Sequence, residues 1–231
     1  MKEDMIKAVI FDMDGVIMDS ESIHYKIEKA ILKNNFNEPF EFEDHARFVG
    51  QTTQNLWRTI CKERNLSQGF EILSLLDNAD YMQELKSGDI QPVPGVIELI
   101  KRLHEIEIPM IVASSAIREN IEVVTDSFGI TKYFQGYVSG QDVERTKPNP
   151  DIFLKAAEKL NIEPENCLVI EDAKHGVEAA KAANMFCIGY RNLNSGDQDL
   201  SKADMIVDKI DEIKLNEINE LIKKQNTDYV T

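Results

Sequence analysis

The chain is short of cysteine, of basic charge and of long apolar runs, and each shortage excludes a class of protein. Its 231 residues include three cysteines, Cys61, Cys167 and Cys187. No two form a C-x-x-C pair, and their odd number and wide spacing fit reduced thiols rather than a disulfide framework. Lys and Arg number 26 against 41 Asp and Glu, a net charge of −15. So acidic a chain is not a general nucleic-acid binder, whose phosphate contacts need basic surface, and it is poorly suited to docking on anionic lipid. A small anionic substrate in a locally positive pocket remains open. No run approaches the about 18 apolar residues of a membrane span. The apolar stretch at 8–18 is broken by Asp12 and Asp14, unlike a signal peptide. Internal repeats and low-complexity tracts are absent as well. These shortages point to a soluble cytoplasmic protein, and the lack of an exposed repeat or zipper to a monomer.

What is present alternates. Hydrophobic residues make up 42% and charged residues 29% of the chain, an ordinary globular balance. Residues 7–11 (KAVIF) read as a buried strand that ends in acids. Residues 19–90 show no convincing strand. Ile23, Ile27, Ala30 and Ile31 share one helical face, as do Leu56, Trp57, Ile60 and Cys61, and Leu73, Leu76 and Met82 extend the pattern. After Pro92-Val93-Pro94-Gly95 the pattern changes. Helices are predicted at 95–107, 119–128, 150–160 and 177–183, and strands at 110–114, 136–139, 167–170, 185–190 and 205–207, with an amphipathic helix at 209–224. This is the order of an α/β fold, a doubly wound parallel sheet with helices on both faces. The expected organisation is a core of residues 1–17 and 92–231 with an inserted all-helical domain at 18–91.

Ligands of such sheets bind beyond the carboxyl ends of the strands. The predicted strand ends carry Asp12 and Asp14, Ser114 followed by Ser115, and Glu171-Asp172, while Lys147 precedes the helix at 150. Singly, these residues read as helix caps, turn formers and a solvated lysine. Together they suit a divalent cation and a phosphate. Asp12 and Asp14 face the same way if the extended backbone persists, so one carboxylate can attack phosphorus while the other handles protons. Asp12 and Asp172 can offer oxygens to Mg2+, which prefers such ligands and screens an anionic nucleophile from an anionic substrate. Lys147 adds positive charge, and Ser114 can hydrogen-bond the remaining phosphate oxygens.

The segments DMDGV at 12–16, Ser114, Lys147 in KPNPD, and Glu171-Asp172 in EDAKHG resemble the four ordered motifs of the haloacid dehalogenase superfamily, in its phosphatase and phosphomutase branch. The resemblance spans residues 7–190. It implies that Asp12 forms an aspartyl-phosphate and that Asp14 is the general acid/base. It also implies that the Asp14 carbonyl and the Asp172 side chain help bind Mg2+, with Glu171 in or just outside that ligand set. The helical insertion is similar to the family's mobile cap, whose closure governs access of water and acceptor. Residues 19–24 (DSESIH) resemble the hinge segment of the beta-phosphoglucomutase-like group, and Gly50-Gln51-Thr52 its substrate-facing cap loop. Ser20, His24, Gly50, Gln51, Thr52 and Ser115 therefore join the expected substrate-binding residues.

The cap also departs from the mutase pattern. Thr53 stands where beta-phosphoglucomutases carry an arginine, and residues 76–80 (LDNAD) where they carry a lysine. Those two cations grip the second phosphate of a bisphosphate, so their loss favours a monophosphate phosphatase over a mutase. Arg47, Arg58 and Arg118 are the cations able to substitute from other positions. A receiver-like signalling module also combines acids, a hydroxyl and a lysine, but its phospho-accepting Asp lies on a later strand and it has no inserted cap. Retention of Asp14 disfavours dehalogenation, and nothing specific supports a Schiff-base lysine in the cap. The expected partner is a small phosphorylated metabolite, such as a sugar phosphate.

Overall fold

The computed structural model describes residues 5–48, 53–87 and 90–220. The cap loop Gly50-Gln51-Thr52 lies outside the described residues. Six strands, β1 (Ala8–Phe11), β2 (Met110–Ser114), β3 (Tyr137–Ser139), β4 (Cys167–Glu171), β5 (Phe186–Tyr190) and β6 (Met205–Val207), form one sheet in the order β3-β2-β1-β4-β5-β6. Every neighbouring pair is parallel. The apolar runs are continuous because both faces are covered, and alternate residues serve different faces. Val9, Phe11, Met110, Val112, Leu168 and Ile170 join one buried cluster. Ala8, Ile10, Ile111, Ala113, Cys167 and Val169 join the other.

Helices α1 (Glu21–Phe36), α2 (Phe42–Ala46), α3 (Thr53–Arg64) and α4 (Phe70–Ser87) lie between β1 and β2 in sequence as the inserted cap region. Helices α5 (Val96–Glu105), α6 (Arg118–Ser127), α7 (Asp151–Leu160) and α8 (Lys174–Ala182) complete the layers around the sheet. Val96, Leu99, Ile100 and Leu103 of α5 and Ile121 and Val124 of α6 pack on one face. Ile152, Phe153 and Ala156 of α7 and Val177 of α8 pack on the other. From β1 the chain winds outward to β3, then returns to the other side of β1 for β4. Pairing of Phe11 with Ile170 puts the carboxyl ends of β1 and β4 together at this switch point.

Two predicted elements differ. The buried stripe of α4 is Leu73, Asp77, Tyr81 and Leu85, spaced by four, while Leu76 is 38% exposed. The apolar residue one place away misled the helical count, because Asp77 is made compatible with burial by the Trp57 indole N–H, which donates to its Oδ2 at 2.8 Å. At 209–224 the chain first makes a single 3₁₀ turn at Ile210–Glu212, and helix begins at 215, with residues after 220 outside the described set. Ile210 and Ile213 are buried all the same, since a spacing of three also suits a 3₁₀ turn. None of the three cysteines is in a disulfide. No helix among the described residues is long and apolar enough to cross a membrane.

Inside the cap, His45 is 2% exposed and its ring nitrogens meet Glu28 Oε2 at 2.7 Å and Glu21 Oε2 at 2.9 Å. Burial opposes the imidazolium, but the two carboxylates outweigh it and raise the pKa from 6.5 to about 9. A raised folded pKa contributes stability that is complete below about pH 6.5 and lost as pH rises through about 9. Wild-type protein is therefore expected to melt several degrees above His45→Gln at pH 6, with the gap closing by pH 9.5. Thermal denaturation of both proteins checks this, and a gap independent of pH would refute it.

Candidate active site

The ends of β1 and β4 and the loop before α7 converge on one buried ionic cluster. Lys147 Nζ donates to Asp12 Oδ1 at 2.5 Å and to Glu171 Oε1 at 2.7 Å, with the Ala113 carbonyl at 3.4 Å. Glu171, the last residue of β4, turns its other oxygen back to accept the backbone N–H groups of Asp172 and Ala173, both at 2.9 Å. Its carboxylate is thus held at both oxygens. Asp12, Glu171 and Asp172 are 6%, 1% and 5% exposed.

Charge decides what such a cluster can hold. Burial raises the Asp12 carboxyl to about 8, against the pull of the Lys147 ammonium, with Glu171 and Asp14 adding like charge. Burial also raises Asp172 well above the carboxylate range, with Glu171 and Asp12 adding to it. Lys147 is held charged by Asp12 and Glu171 in spite of its own burial. With all three carboxyls ionised against one ammonium the cluster would carry two excess negative charges, a repulsion that protons relieve in the metal-free site and one divalent cation would neutralise. One carboxylate oxygen from each of Asp12, Glu171 and Asp172 lies within 4.8 Å of the others. A compact all-oxygen set suits Mg2+.

Two glycines leave room for these carboxylates. Gly15 adopts φ +79°, and a Cβ there would stand 1.9 Å from Asp172 Oδ2. A Cβ on Gly176, in the first turn of α8, would stand 1.6 Å from Glu171 Oε1. Neither carboxylate keeps its place beside a larger residue. A short turn after β5 closes the site from the far side. Ser195 Oγ donates to Asp172 Oδ2 at 2.5 Å, and Asn192 Nδ2 donates to the Gly15 carbonyl at 2.9 Å.

The extended run of β1 ends at Phe11, and the chain then turns, Ile17 and Met18 donating to the Met13 carbonyl at 2.8 and 3.0 Å. Asp14 thereby reaches different partners from Asp12. Its Oδ1 accepts from the Tyr81 hydroxyl at 3.1 Å and its Oδ2 faces Ser114 Oγ at 3.5 Å. Burial raises the Asp14 carboxyl, while His24 lowers it.

The family model of haloacid dehalogenase-like hydrolases matches residues 9–190. The chain belongs to this family. A Thermotoga maritima protein named phosphorylated carbohydrates phosphatase is 30% identical over 228 residues, covering 94% of this chain and all of that one. A Bacillus subtilis beta-phosphoglucomutase is 30% identical over 223 residues, covering 93% and 95%. The crystal structure of a Clostridium difficile beta-phosphoglucomutase superimposes with a TM-score of 0.79 at 26% identity, covering 96% of this chain and 100% of that one. The hydrolase shares with these relatives the doubly wound core and the inserted helical cap, and its acidic cluster has the geometry of the family's Mg2+ sites.

In this hydrolase the expected site residues fall into three groups. Asp12, Asp14, Ser114, Lys147, Glu171 and Asp172 come together at the strand ends. Ser20 is fully buried at the head of α1, and His24, one turn on, stacks on Tyr81. Ser115 is exposed, and its carbonyl oxygen lies 2.4 Å from where a Cβ on Gly140 would stand. Ser114 has a cap's bond as well, accepting from Ala116 N–H at 3.0 Å. The substitute cations are engaged elsewhere: Arg47 pairs with Glu63 at 2.7 Å, Arg118 with Asp142 at 2.6 Å, and Arg58 lies over the Phe70 ring. Sequence reasoning missed Tyr81, Asn192, Ser195 and Gly176. A tyrosine in a helical stripe reads as core, and a serine 23 residues beyond Asp172 carries no local signal.

Proposed function

We propose that this hydrolase is a Mg2+-dependent phosphatase acting on a small phosphorylated metabolite, a sugar phosphate, through an aspartyl-phosphate on Asp12. The observation that carries the reading is the Asp12 carboxylate at the switch point, bonded to Lys147 and set in a cluster whose excess charge calls for a divalent cation. Asp12, Asp172 and the Asp14 carbonyl would hold Mg2+, with Glu171 beside them fixing Lys147. When bound, the ion neutralises the repulsion between carboxylate and phosphate and polarises the phosphoryl group.

An Asp12 oxygen attacks phosphorus and the bond to the ester oxygen breaks. Asp14 gives its proton to that departing oxygen. Water then attacks the phosphorus of the acyl phosphate, Asp14 takes a proton from it, and the bond to Asp12 breaks to release inorganic phosphate. Lys147 balances the charge that shifts between Asp12 and the phosphate oxygens, and Ser114 donates to those oxygens. Ser20 and His24, together with Gly50, Gln51 and Thr52 of the cap, are the residues assigned to binding the sugar.

The phosphoglucomutase relatives favour a second reading, transfer of the phosphoryl group to a sugar. Against it stands Asp77, in the stretch where the mutases hold a lysine. It is an acid, 1% exposed and bonded to Trp57, so this position offers no cation to a second phosphate. Incubation with beta-glucose 1-phosphate and catalytic glucose 1,6-bisphosphate separates the two. Free phosphate is the expected product, and glucose 6-phosphate would overturn the preference. A phosphate-release screen over sugar and polyol phosphates identifies the substrate.

A further inference from the structure

Tyr81 lies 67 residues from Asp14 in sequence, on the cap helix α4, yet its hydroxyl donates to Asp14 Oδ1 at 3.1 Å. The ring is 5% exposed and is stacked on His24, centroids 4.4 Å apart and planes 10° from parallel. Two cap helices, α1 and α4, thus fix one phenol against one carboxylate of the core. On the other side of that carboxylate, Oδ2 faces Ser114 Oγ at 3.5 Å.

We propose that Tyr81 is the positioning residue for Asp14, a cap hydroxyl that occupies Oδ1 and leaves Oδ2 as the oxygen that passes the proton. This rests on the phosphatase reading above. A phenol has one hydrogen to donate. While that hydrogen is on Oδ1, the carboxyl is barred from rotating about its Cβ–Cγ bond without losing the contact. Oδ2 points to Ser114, the side from which a phosphate bound at the strand ends would present its ester oxygen. Since donor and acceptor belong to different parts of the chain, the bond exists only when the cap sits on the core. Proton delivery is thereby tied to cap closure, and an open site holds Asp14 without its second anchor. A tyrosine serving only to fill the cap would affect every substrate alike.

The test compares kcat/KM for phenyl phosphate, whose leaving group needs a proton, with that for p-nitrophenyl phosphate, whose leaving group departs as a stable anion. Tyr81→Phe keeps the stacked ring and removes only the hydroxyl. It is expected to lower kcat/KM for phenyl phosphate about tenfold and that for p-nitrophenyl phosphate by less than about threefold. In an Asp14→Asn background the same change is expected to have no further effect. Equal losses on the two esters, no loss on either, or full additivity with Asp14→Asn would each overturn the assignment while leaving the phosphatase reading intact. Failure of the wild-type enzyme to release phosphate from either ester with Mg2+ would instead sink both. Melting curves of the two single variants, expected to lie within a few degrees of wild type, keep a folding defect from imitating the result.

Discussion

Asp12→Asn is expected to abolish Mg2+-dependent release of phosphate from p-nitrophenyl phosphate, with a loss of at least about 10³- to 10⁴-fold. The amide nitrogen and oxygen occupy the space of the carboxylate, but the side chain no longer offers an anionic oxygen to phosphorus. The change is gentle to the fold. A buried carboxyl that desolvation already pushes up to about 8 becomes neutral, and Lys147 keeps its bond to Glu171 at 2.7 Å. The variant should therefore melt close to wild type when Mg2+ is absent. Colorimetric turnover and circular-dichroism melting, run side by side, check both halves, and normal turnover by a folded Asp12→Asn protein would refute the mechanism.

Replacing Lys147 with Met is expected to damage stability as well as rate. The Lys147 side chain is 9% exposed, and its ammonium is the cation that both Asp12 and Glu171 hold. Its removal leaves buried carboxylates without compensation, a change that costs about 3–5 kcal/mol in comparable buried pairs. The sign with pH follows from the acids. Without Lys147 the Asp12 carboxyl, which burial already raises to about 8 against that lysine's pull, rises further, so the destabilisation is greatest in alkaline solution and shrinks as pH falls and the carboxyl takes up a proton. Urea denaturation of Lys147→Met at pH 8 and pH 5 should show this trend, and added Mg2+ should recover part of the loss at pH 8 by neutralising the same charges. Turnover should fall by about 10²- to 10³-fold even with Mg2+, because a fixed positive charge aimed at the phosphate is gone. A variant as stable as wild type at pH 8 would show that Lys147 does not carry the charge balance of the cluster.

Much of the core was legible because its signals are local. Apolar runs as short as 110–114 and 167–170, alternating with helical segments, read as strands covered on two faces, and the two strands end in the residues that chemistry needs, Ser114 and Glu171. The cap was less legible. On α4 the apolar count pointed to Leu76, whereas Asp77 is the buried member, and a partner 20 residues away in sequence, Trp57, is what makes an acid tolerable there. The His45 contacts with Glu21 and Glu28 were equally hidden, since three polar residues on two amphipathic helices read as solvated faces.

By itself, then, the sequence determined the parallel α/β core, the helical insertion after β1, and the acids and lysine that stand at strand ends, because strand periodicity and topology carry those residues to one edge of the sheet wherever the side chains point. The tertiary structure alone decided how they are paired. It set Lys147 between Asp12 and Glu171, closed Asp172 with Ser195, and brought Tyr81 of the cap to Asp14. Such contacts join groups 23 to 135 residues apart, and they exist because burial makes an unpartnered charge or hydroxyl costly, a constraint that acts only once the chain has folded around it.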